Sequence, residues 1–353
     1  MSSAIDKALF VTEDAKFIVE DKIAHEDAAP NELLIEVHYS GVNPADIRHS
    51  THLGICSTVL GNDFSGRVTK APPSSEFQQG DIVAGYTPSG VGRPKKYGTH
   101  QGHLAVPEDM VFKVPSNLPE PHAAALTVVA MTAADVIHNL FKFPLPTNPT
   151  DISSPILIWG ASSAVGLSAV QLARAAGCKN IFVTASPTRH ELLRTLGATE
   201  TFDYSSPTVT NDIASAVSAL GRGSITHALD AAGTMSNPSS SDLLIQCVSP
   251  SAMLVSVVLR QDKRFRLPMA TSNTEFIIRP PGTPAPITIP ARAAEHWNAW
   301  KALHWIVENY GKEFSLPSVN VLQVTAEEAL EVLFAVVDGK RGFGKTVLQH
   351  PFK

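Results

Sequence analysis

The sequence predicts an α/β protein that combines a small, partly open β-barrel with a doubly wound parallel sheet. Residues 1–125 contain short apolar runs separated by glycine, proline and asparagine, which is typical of barrel strands. From residue 155 onward, apolar runs alternate with helical patterns, which favours parallel strands joined by helices. The chain has 353 residues, enough for two such domains.

The central unit of the second part spans residues 155–177. Its apolar run suits a strand buried on both faces, and the small residues of 160–166 form a tight turn. A helical pattern follows and ends at Gly177, which predicts a helix C-cap. The turn directs backbone N–H groups and the positive helix end to one point, which suits a pyrophosphate. Ala164 stands where such turns often carry glycine, so an ordinary strand-to-helix turn is the alternative.

The next strand, residues 180–184, indicates which dinucleotide is bound. Sites selective for NADH place an acid at this strand end to bind the ribose 2′-hydroxyl. Residues 178–189 contain no acid and offer Ser186, Thr188 and Arg189 instead. Hydroxyl donors and positive charge suit a 2′-phosphate, so the sequence predicts NADPH. The alternative for Arg189 is a solvated side chain in the first turn of the following helix.

The bulk composition excludes several classes of partner. The formal net charge of −5 argues against a nucleic acid or an anionic membrane. No apolar run reaches the length of a membrane span, residues 1–7 lack a signal-peptide core, and residues 349–353 are no peroxisomal address. The cysteines Cys56, Cys178 and Cys247 are far apart and odd in number, which predicts a reducing compartment and a cytoplasmic protein.

The barrel part is predicted from its apolar runs and turns. Strands are expected at residues 33–40 and 61–68, and residues 41–46 turn the chain between them. Residues 80–85 form a turn that feeds a further strand. The polar, glycine-rich residues 89–102 are predicted to be a loop.

The alternating part begins after a mostly helical stretch at 120–141 and a linker-like loop at 143–150. Its further elements are a strand ending at 202–204, a helix at 209–220, and strands at 225–230 and 253–258. Parallel strands of this kind bind ligands outside their carboxyl ends.

The C-terminal part has weaker patterns. Residues 274–279 are predicted to be a strand that prolines at 280–284 interrupt. A helix is expected at 291–309, with its tryptophans in the core and a stacking role as the alternative; they are Trp297, Trp300 and Trp305. Thr325 caps a helix that ends near residue 339, and residues 344–348 form a final strand.

The order of these parts resembles the medium-chain dehydrogenase/reductase superfamily over nearly the whole chain. The matching motifs occur in order at 41–46, 61–66, 80–83, 126–134, 160–166, 196–198, 202–204 and 344–347. The resemblance implies a GroES-like catalytic and substrate domain made of residues 1–125 plus 290–353. It also implies a Rossmann NADPH-binding domain at residues 126–289.

The zinc ligands of that superfamily are missing. Zinc-dependent members carry a cysteine where this chain has Asn43 or Pro44, and a Gly-His-Glu motif where it has 61–63. Their third ligand falls near 127–128, which holds threonine and valine, and three cysteines cannot fill a structural four-cysteine lobe. His100 and His103 have no obvious ligand spacing. We therefore expect no metal, and hydride transfer to an already activated acceptor.

The chain most resembles the stand-alone enoyl reductases that serve fungal polyketide synthases in trans, the ToxD-like proteins. The resemblance rests on Ser186-Pro187, on 202–204 and on 43–46. That group often continues its first motif with Trp-Lys, whereas this chain has Ile47-Arg48, which keeps a cation with different geometry.

The resemblance implies a role for each matching residue. Cofactor contacts are implied for Asn43, Pro44, Ala45, Asp46, Ser162, Ser163, Ala164, Val165, Ser186, Pro187, Thr188, Arg189, Tyr204, Val257, Val258, Gly344 and Lys345. The acyl pocket is implied for Met131, Thr132, Ala133, Ala134, Asp135, Val136, Ile137, His138, Asn139, Thr274, Glu275, Phe276, Ile277 and Ile278.

The implied reaction is hydride transfer from NADPH to the β-carbon of an α,β-unsaturated thioester. Negative charge then develops on the thioester oxygen, and Thr132 and Arg48 are the expected donors to it. Mitochondrial-type relatives use a tyrosine as proton donor, and residues 47–60 contain none. His52 is a candidate acid; the alternatives are His49, water, or that both histidines are exposed loop residues without a role in the reaction.

Three functions remain open at this level. The first is a trans-acting enoyl reductase that docks on a polyketide synthase carrier domain, as a monomer or homodimer. The second is a free-standing quinone or enone reductase. The third is an NADPH-binding protein without turnover.

Overall fold

The computed structural model describes residues 7–21, 23, 27–269 and 273–353. Within these residues it forms the following strands and α-helices, each series numbered in chain order. The strands are β1 (Lys7–Val11), β2 (Phe17–Asp21), β3 (Glu32–Gly41), β4 (Thr58–Val59), β5 (Asp63–Lys70), β6 (Ile82–Tyr86), β7 (His103–Pro107), β8 (Val111–Lys113), β9 (Ile156–Trp159), β10 (Ile181–Ala185), β11 (Glu200–Asp203), β12 (His227–Asp230), β13 (Met253–Ser256), β14 (Phe265–Arg266), β15 (Phe276–Ile278), β16 (Ile287–Ile289), β17 (Val319–Leu322) and β18 (Lys345–Gln349). The α-helices are α1 (Ala45–Leu53), α2 (Glu120–Ala134), α3 (Ala164–Ala176), α4 (His190–Leu196), α5 (Val209–Leu220), α6 (Ser240–Ile245), α7 (Ala293–Glu308) and α8 (Ala326–Val337).

The contacts within the chain divide it into two compact units. Unit 1 comprises Met1–Val128, Ser272–Ala293 and Pro317–Lys353, and unit 2 comprises Val129–Thr271 and Ala294–Leu316. The expected domain boundaries at residues 125 and 290 differ from this division, because the β15–β16 hairpin groups with unit 1 and most of α7 groups with unit 2. The extent of the functional domains stays a prediction. The expectation about a signal segment rests largely on residues 1–6, which lie outside the described residues.

Unit 1 is built on a seven-stranded sheet. Six strands follow the order β17-β18-β3-β5-β6-β8, and β7 also pairs with β3. Strand β3 is long because its first half pairs with β7 and its last residues pair with β18, while β5 pairs along it with two register shifts. The C-terminal strand β18 thereby lies beside a strand from the start of the chain.

A second apolar layer of unit 1 lies around helix α8. The small sheet β2-β1-β4 and helix α1 pack against it. The buried side chains of this cluster include Leu9, Val42, Ile47, Leu333 and Leu348. A capping box at Thr325, whose side chain accepts from the Glu328 backbone N–H, starts α8 and confirms the predicted cap.

Unit 2 contains a six-stranded parallel sheet in the order β11-β10-β9-β12-β13-β14. This is the strand order of a doubly wound dinucleotide-binding sheet, with its switch point between β9 and β12. All four residues of β9 are buried, as expected for a strand covered on both faces. The predicted fold class, a partly open barrel domain plus a doubly wound parallel sheet, is confirmed.

Helix α2 continues into a π-helical turn, Asp135–Leu140. The combined stretch Glu120–Leu140 is long and apolar enough to cross a membrane by length and composition alone. Of its most apolar 18-residue window, 89% is buried within the structure, which is the property of a core helix.

Three local features differ from the sequence-based predictions or add to them. Residues 45–53 form helix α1, which was not predicted and begins within the predicted turn 41–46. Pro44 occupies its N-cap, and the Asp46 carboxylate accepts the Asn43 backbone N–H at 2.8 Å. The predicted loop at 89–102 is confirmed; it includes a short 3₁₀ helix, Lys95–Tyr97, and carries buried polar side chains. Trp297 is 42% exposed and is not core, whereas Trp300 is 7% exposed and is.

Candidate active site

Two glycines in the turn between β9 and α3 lie too close to neighbouring residues to carry a side chain. Gly160 has φ +78°, and a Cβ there would lie 2.6 Å from the Ala232 Cβ and 2.7 Å from the Ala232 N. A Cβ on Gly166 would lie 2.6 Å from the Gly160 carbonyl oxygen. Both glycines are therefore required by close approach, whereas Ala164 at the start of the helix is sterically acceptable. This segment, residues 160–166, is called the glycine turn below.

The N-terminus of α3 is capped from inside the glycine turn. The Ser163 hydroxyl accepts the Gly166 backbone N–H at 3.1 Å. Helix N-termini carry backbone donors without intrahelical acceptors and a positive partial charge. The predicted residues Ser162–Val165 thus lie where a pyrophosphate would be held, and the tight backbone approach fits that group.

The end of β10 carries the residues predicted for the 2′-phosphate. Pro187–Arg189 form one 3₁₀ turn, and the Ser186 and Thr188 hydroxyls lie 3.4 Å apart. Strand β11 pairs in parallel with β10 so that Asp203 is opposite Ala185, which brings exposed Tyr204 next to this turn. The structure therefore brings these predicted residues together at one strand end.

One acid, Asp203 at the end of β11, lies near this strand end. The Asp203 carboxylate accepts the Ser205 hydroxyl at 2.7 Å and the Ser205 backbone N–H at 2.9 Å. These bonds hold the pKa of Asp203 below its ordinary value. The Asp203 carboxylate is therefore hydrogen-bonded within its own turn, and this arrangement is compatible with a phosphate bound nearby.

The loops after β12 and β13 approach each other closely. Gly233 has φ +60°, and a Cβ there would lie 2.9 Å from Val258 Cγ1 and 3.1 Å from Val257 Cγ2. The Val257 backbone N–H donates to the Asp230 carbonyl at 3.0 Å. The predicted nicotinamide-binding residues Val257 and Val258 therefore lie at the same sheet edge as the glycine turn.

In unit 1, Asn43 and Lys345, which are 302 positions apart in the sequence, meet at the buried carboxylate of Asp63. Asn43 Nδ2 donates to Asp63 Oδ2 at 2.8 Å, and the Lys345 ammonium donates to Asn43 Oδ1. Lys345 Nζ lies 3.4 Å from Asp63 Oδ2, and the Val128 backbone N–H donates to Asp63 Oδ1 at 2.6 Å. Burial raises the pKa of Asp63, although Lys345, Asn43 and the Val128 N–H favour the ionised form.

A second buried carboxylate lies beside the first. Asp46 Oδ1 accepts Asn62 Nδ2 at 3.1 Å, and Asp46 Oδ2 lies 3.2 Å from His100 Nε2. Burial opposes ionisation, but the His100 bond and charge, the Asn43 N–H and the Lys345 charge together lower the pKa of Asp46. We call Asn43, Asp46, Asp63, His100 and Lys345 the Asp63 cluster.

His100 extends this cluster in a direction that the sequence did not indicate. Its Nδ1 lies 2.8 Å from the Ser40 hydroxyl, which lies 2.8 Å from His350 Nε2. His100 was expected in a polar loop, but it is fully buried. No local pattern identifies it, because its partners, Ser40 of β3 and Asp46 of α1, lie far from it in the sequence.

The predicted acid–base histidines lie on helix α1. His52 is exposed and lies 2.8 Å from the Thr51 hydroxyl. His49 lies 3.2 Å from the Ser89 hydroxyl, and burial lowers its pKa to about 4, with Asp46 opposing that shift and Arg93 adding to it. His49 is therefore neutral at pH 7 and cannot act there as an imidazolium acid. Arg48 is half-buried on the same helix, and burial lowers its pKa.

The predicted acyl-pocket residues fall into two groups. In unit 2, Thr132 is half-buried, whereas the rest of 131–139 is buried. Asp135 accepts Asn139 Nδ2 at 2.9 Å and the Met269 backbone N–H at 3.0 Å, so its oxygens are used within the unit. A pocket-lining role for this segment stays a prediction, with Thr132 its most accessible member.

The other group, residues 274–278, belongs to unit 1. The Ile277 carbonyl accepts the Val91 N–H at 2.7 Å, and the Arg279 N–H donates to the Leu53 carbonyl at 2.7 Å. The β15–β16 hairpin is therefore attached to the C-terminal end of α1, the helix that carries Arg48 and His52.

The residues that stand at the zinc-ligand positions of related enzymes do not fit zinc. The oxygens of Asn43 and Asp63 are bound by the Lys345 ammonium, which would repel a divalent cation. Gly344, with φ +109°, positions this lysine at the start of β18. Among the described ranges of the chain, no three His, Cys, Asp or Glu side chains are grouped so as to hold a metal.

Two family models match the chain. An alcohol dehydrogenase GroES-like domain matches residues 29–116, and a zinc-binding dehydrogenase domain matches residues 164–277. Among solved structures, the CurK enoyl reductase has a TM-score of 0.71 at 19% identity over 99% of this chain and 100% of that one. A Pseudomonas syringae quinone oxidoreductase has a TM-score of 0.70 at 17% identity over 98% and 100%. At these identities the likeness establishes the fold.

Several curated relatives are trans-enoyl reductases of fungi. The chain is 33% identical to himH of Aspergillus japonicus over 52% of this chain and 55% of that protein. It is 33% identical to TOXD of Cochliobolus carbonum over 49% and 58%. It thus spans little more than half the length of those two, but 67% of tazE of Aspergillus terreus, at 33% identity over 56% of this chain. The chain therefore belongs to the medium-chain dehydrogenase/reductase superfamily and, within it, to the family of the trans-enoyl reductases.

Proposed function

We propose that this protein is an oxidoreductase that uses NADPH, without zinc, to reduce the C=C bond of an α,β-unsaturated polyketide thioester. The observation that carries the proposal is the Lys345 ammonium bound to Asn43 and Asp63, at the positions where zinc-dependent relatives hold their metal. Without a Lewis acid at that place, an alcohol is not activated, and a conjugated C=C bond is an acceptor that needs no such activation. The family membership supports the same substrate class.

The cofactor proposal rests on the sheet edge of unit 2. The glycine turn and the N-terminus of α3 would hold the pyrophosphate, and Ser186, Thr188 and Arg189 would bind the 2′-phosphate. Val257 and Val258 would offer backbone groups to the nicotinamide amide. NADPH, when bound, supplies a hydride to the β-carbon of the substrate.

The reaction also requires donors to the negative charge on the thioester oxygen and a proton for the α-carbon. Thr132 is the proposed hydrogen-bond donor in unit 2 to the thioester oxygen, and Arg48 is the proposed donor in unit 1. For the α-carbon proton, His52 is favoured over His49 because the His52 side chain is exposed, whereas burial lowers the pKa of His49 to about 4. The Asp63 cluster holds Asn43 and Lys345 against each other and thereby fixes the predicted cofactor-contacting segment 43–46.

We further propose that the protein acts in trans with a polyketide synthase, in the cytoplasm. The names of its relatives, trans-enoyl reductases, support such a partner. Its net charge of −5 makes a nucleic acid or an anionic membrane an unfavourable partner.

Turnover of NADPH with different acceptors tests the proposal. The purified protein is assayed with crotonyl and longer enoyl thioesters, with carrier-bound enoyl chains, and with a small quinone. We expect oxidation of NADPH by the enoyl thioesters, faster for carrier-bound chains than for the free thioesters. Reduction of the quinone alone would replace the proposal with a quinone reductase, and NADPH binding without turnover would indicate a non-catalytic role.

A further inference from the structure

A buried arginine in unit 2 joins the two loops at the carboxyl ends of β12 and β13. The Arg260 side chain is only 8% exposed and forms an ion pair with fully buried Asp230, with Nη2 and Oδ2 at 2.7 Å. No sequence motif identified either residue as functional. Burial of a full ion pair beside a predicted cofactor site needs a physical reason, since two charges are costly to desolvate.

The guanidinium of Arg260 contacts both loops at once. On the β12 side it donates to the Thr234 carbonyl of the loop at 3.0 Å and to Ser240 Oγ at the start of α6 at 3.3 Å. At the end of β13 it donates to Ser256 Oγ at 3.3 Å. All of these contacts are made by the one planar guanidinium group of Arg260. Arginine suits such a position because its donors are held in a fixed fork, whereas lysine offers a single point charge.

Asp230 is held from several sides besides Arg260. Its Oδ2 accepts the Ser241 hydroxyl at 2.7 Å and the Ser256 hydroxyl at 2.9 Å, and its Oδ1 accepts the Gly233 N–H at 3.0 Å. The carboxylate is therefore a fixed anchor at the end of β12. Arg260 connects that anchor to the segment that follows β13.

The loops that this ion pair joins are the ones predicted to meet the cofactor. Gly233 lies under Val257 and Val258, and Ala232 lies against Gly160 of the glycine turn. Three neighbouring strand ends, of β9, β12 and β13, are thus in contact at one edge of the sheet. A shift of the loop after β13 would displace Val257 and Val258 but would leave the end of β10 in place.

We propose that Arg260 is a positioning residue that holds the backbone of Val257 and Val258 in place for the nicotinamide half of NADPH. This inference rests on the proposed cofactor function of the same sheet edge. Arg260 acts through the two loops and contacts neither the cofactor nor the substrate itself. Loss of the Arg260 guanidinium should therefore weaken binding of the nicotinamide half of NADPH. It should leave unchanged the binding of the adenosine half, whose proposed site is at the end of β10.

Two ligands separate these halves experimentally. NADPH carries the nicotinamide, and adenosine 2′,5′-bisphosphate (2′,5′-ADP) carries only the adenosine and 2′-phosphate. Dissociation constants of both are measured for the wild type, Arg260→Met and Arg260→Lys. The matched control is Arg264→Met, on the same segment, where an exposed arginine pairs with Asp262 at 2.6 Å.

We expect Arg260→Met to raise the dissociation constant for NADPH about tenfold, the effect of one lost charged hydrogen bond, and to leave that for 2′,5′-ADP nearly unchanged. Arg260→Lys keeps the charge beside Asp230 and should fold even where the methionine variant does not. It should show the same selective loss, reduced in size. Arg264→Met should bind both ligands like the wild type.

The outcomes are separable from those of the proposed function. Equal losses for both ligands in the lysine variant, or no loss for NADPH, would overturn the positioning role. A wild type that binds 2′,5′-ADP and NADPH equally well would likewise show that the nicotinamide half is not held by this loop. A wild type that binds neither ligand would instead overturn the cofactor proposal itself.

Discussion

The Asp63 cluster and the glycine turn reach their geometry in opposite ways. The cluster joins side chains from the segment between β3 and α1, from α1 itself, from β5, from the loop before β7 and from β18, so most of its members are far apart in the sequence. The glycine turn is one short segment in which missing side chains allow the backbone to approach Ala232. One region depends on polar groups brought together by the fold, and the other on space that the sequence leaves empty. Substitutions should therefore act through charge in the first and through sterics in the second.

The largest effect is expected at the cation of the cluster. Lys345→Met leaves Asp63 buried beside an uncharged side chain, which should lower the free energy of unfolding by about 3–5 kcal/mol. Urea denaturation measures this loss. The control is Lys340→Met, whose exposed ammonium pairs with Asp338 at 2.6 Å and whose loss should cost about 1 kcal/mol or less. Equal effects at the two lysines would mean that the cluster does not depend on its cation.

The corresponding test of the glycine turn is Gly160→Ala. The new Cβ would meet the Ala232 N at 2.7 Å, so both a positive φ and a backbone clash oppose it. We expect a loss of about 2–4 kcal/mol in the free energy of unfolding, together with weaker NADPH binding. Gly221→Ala is the matched control, since its φ is +63° with nothing within 4 Å of the Cβ, and it should cost about 1 kcal/mol. A similar loss in both variants would assign the whole effect to φ rather than to close approach.

Cofactor preference is a smaller effect confined to unit 2. Arg189→Ala should raise the KM for NADPH about tenfold and leave the KM for NADH nearly unchanged, because only NADPH carries the 2′-phosphate. Arg194→Ala is the control on the adjoining helix, where the guanidinium donates to the Thr201 hydroxyl. An equal rise in KM for both cofactors would show that Arg189 does not contact the 2′-phosphate.

The smallest effect concerns a pH-dependent pair in unit 1. Glu120 Oε1 lies 2.7 Å from His38 Nδ1, and this bond raises the pKa of His38 above its ordinary 6.5, aided by the charges of Glu120 and Glu36 and opposed by burial and Arg67. Because the folded pKa is the higher one, this stabilisation is fully present below pH 6.5 and is lost as the pH rises through the folded pKa. Glu120→Gln should therefore lower stability by about 1 kcal/mol at pH 6, with the difference from wild type shrinking by pH 9. Thermal unfolding across that range measures it, and a difference independent of pH would exclude ionisation of His38 as its cause.

The alternation of strand and helix patterns was enough to predict the parallel sheet and the order of its elements. Short-range signals carried that prediction: the apolar run of β9, the small residues of the glycine turn, and the Thr325 capping box. The helix α1 was missed because its apolar periodicity is weak and its start depends on Pro44 and the Asp46 side chain. Trp297 is exposed although its residue type predicts a core position, because the orientation of α7 decides which of its side chains are buried.

The sequence by itself determined the chemistry that each segment can offer: a turn without side chains, a strand end without acid, and no cysteine or histidine at the positions of the zinc ligands. Those features are local, because they depend on residue identity and on spacing within one element. Only the tertiary structure decided which polar groups meet. Lys345 against Asn43, His100 between Asp46 and Ser40, and Arg260 on Asp230 each join different strands or loops. A buried charge requires a partner, but nothing in the residues around it states which distant segment will supply that partner.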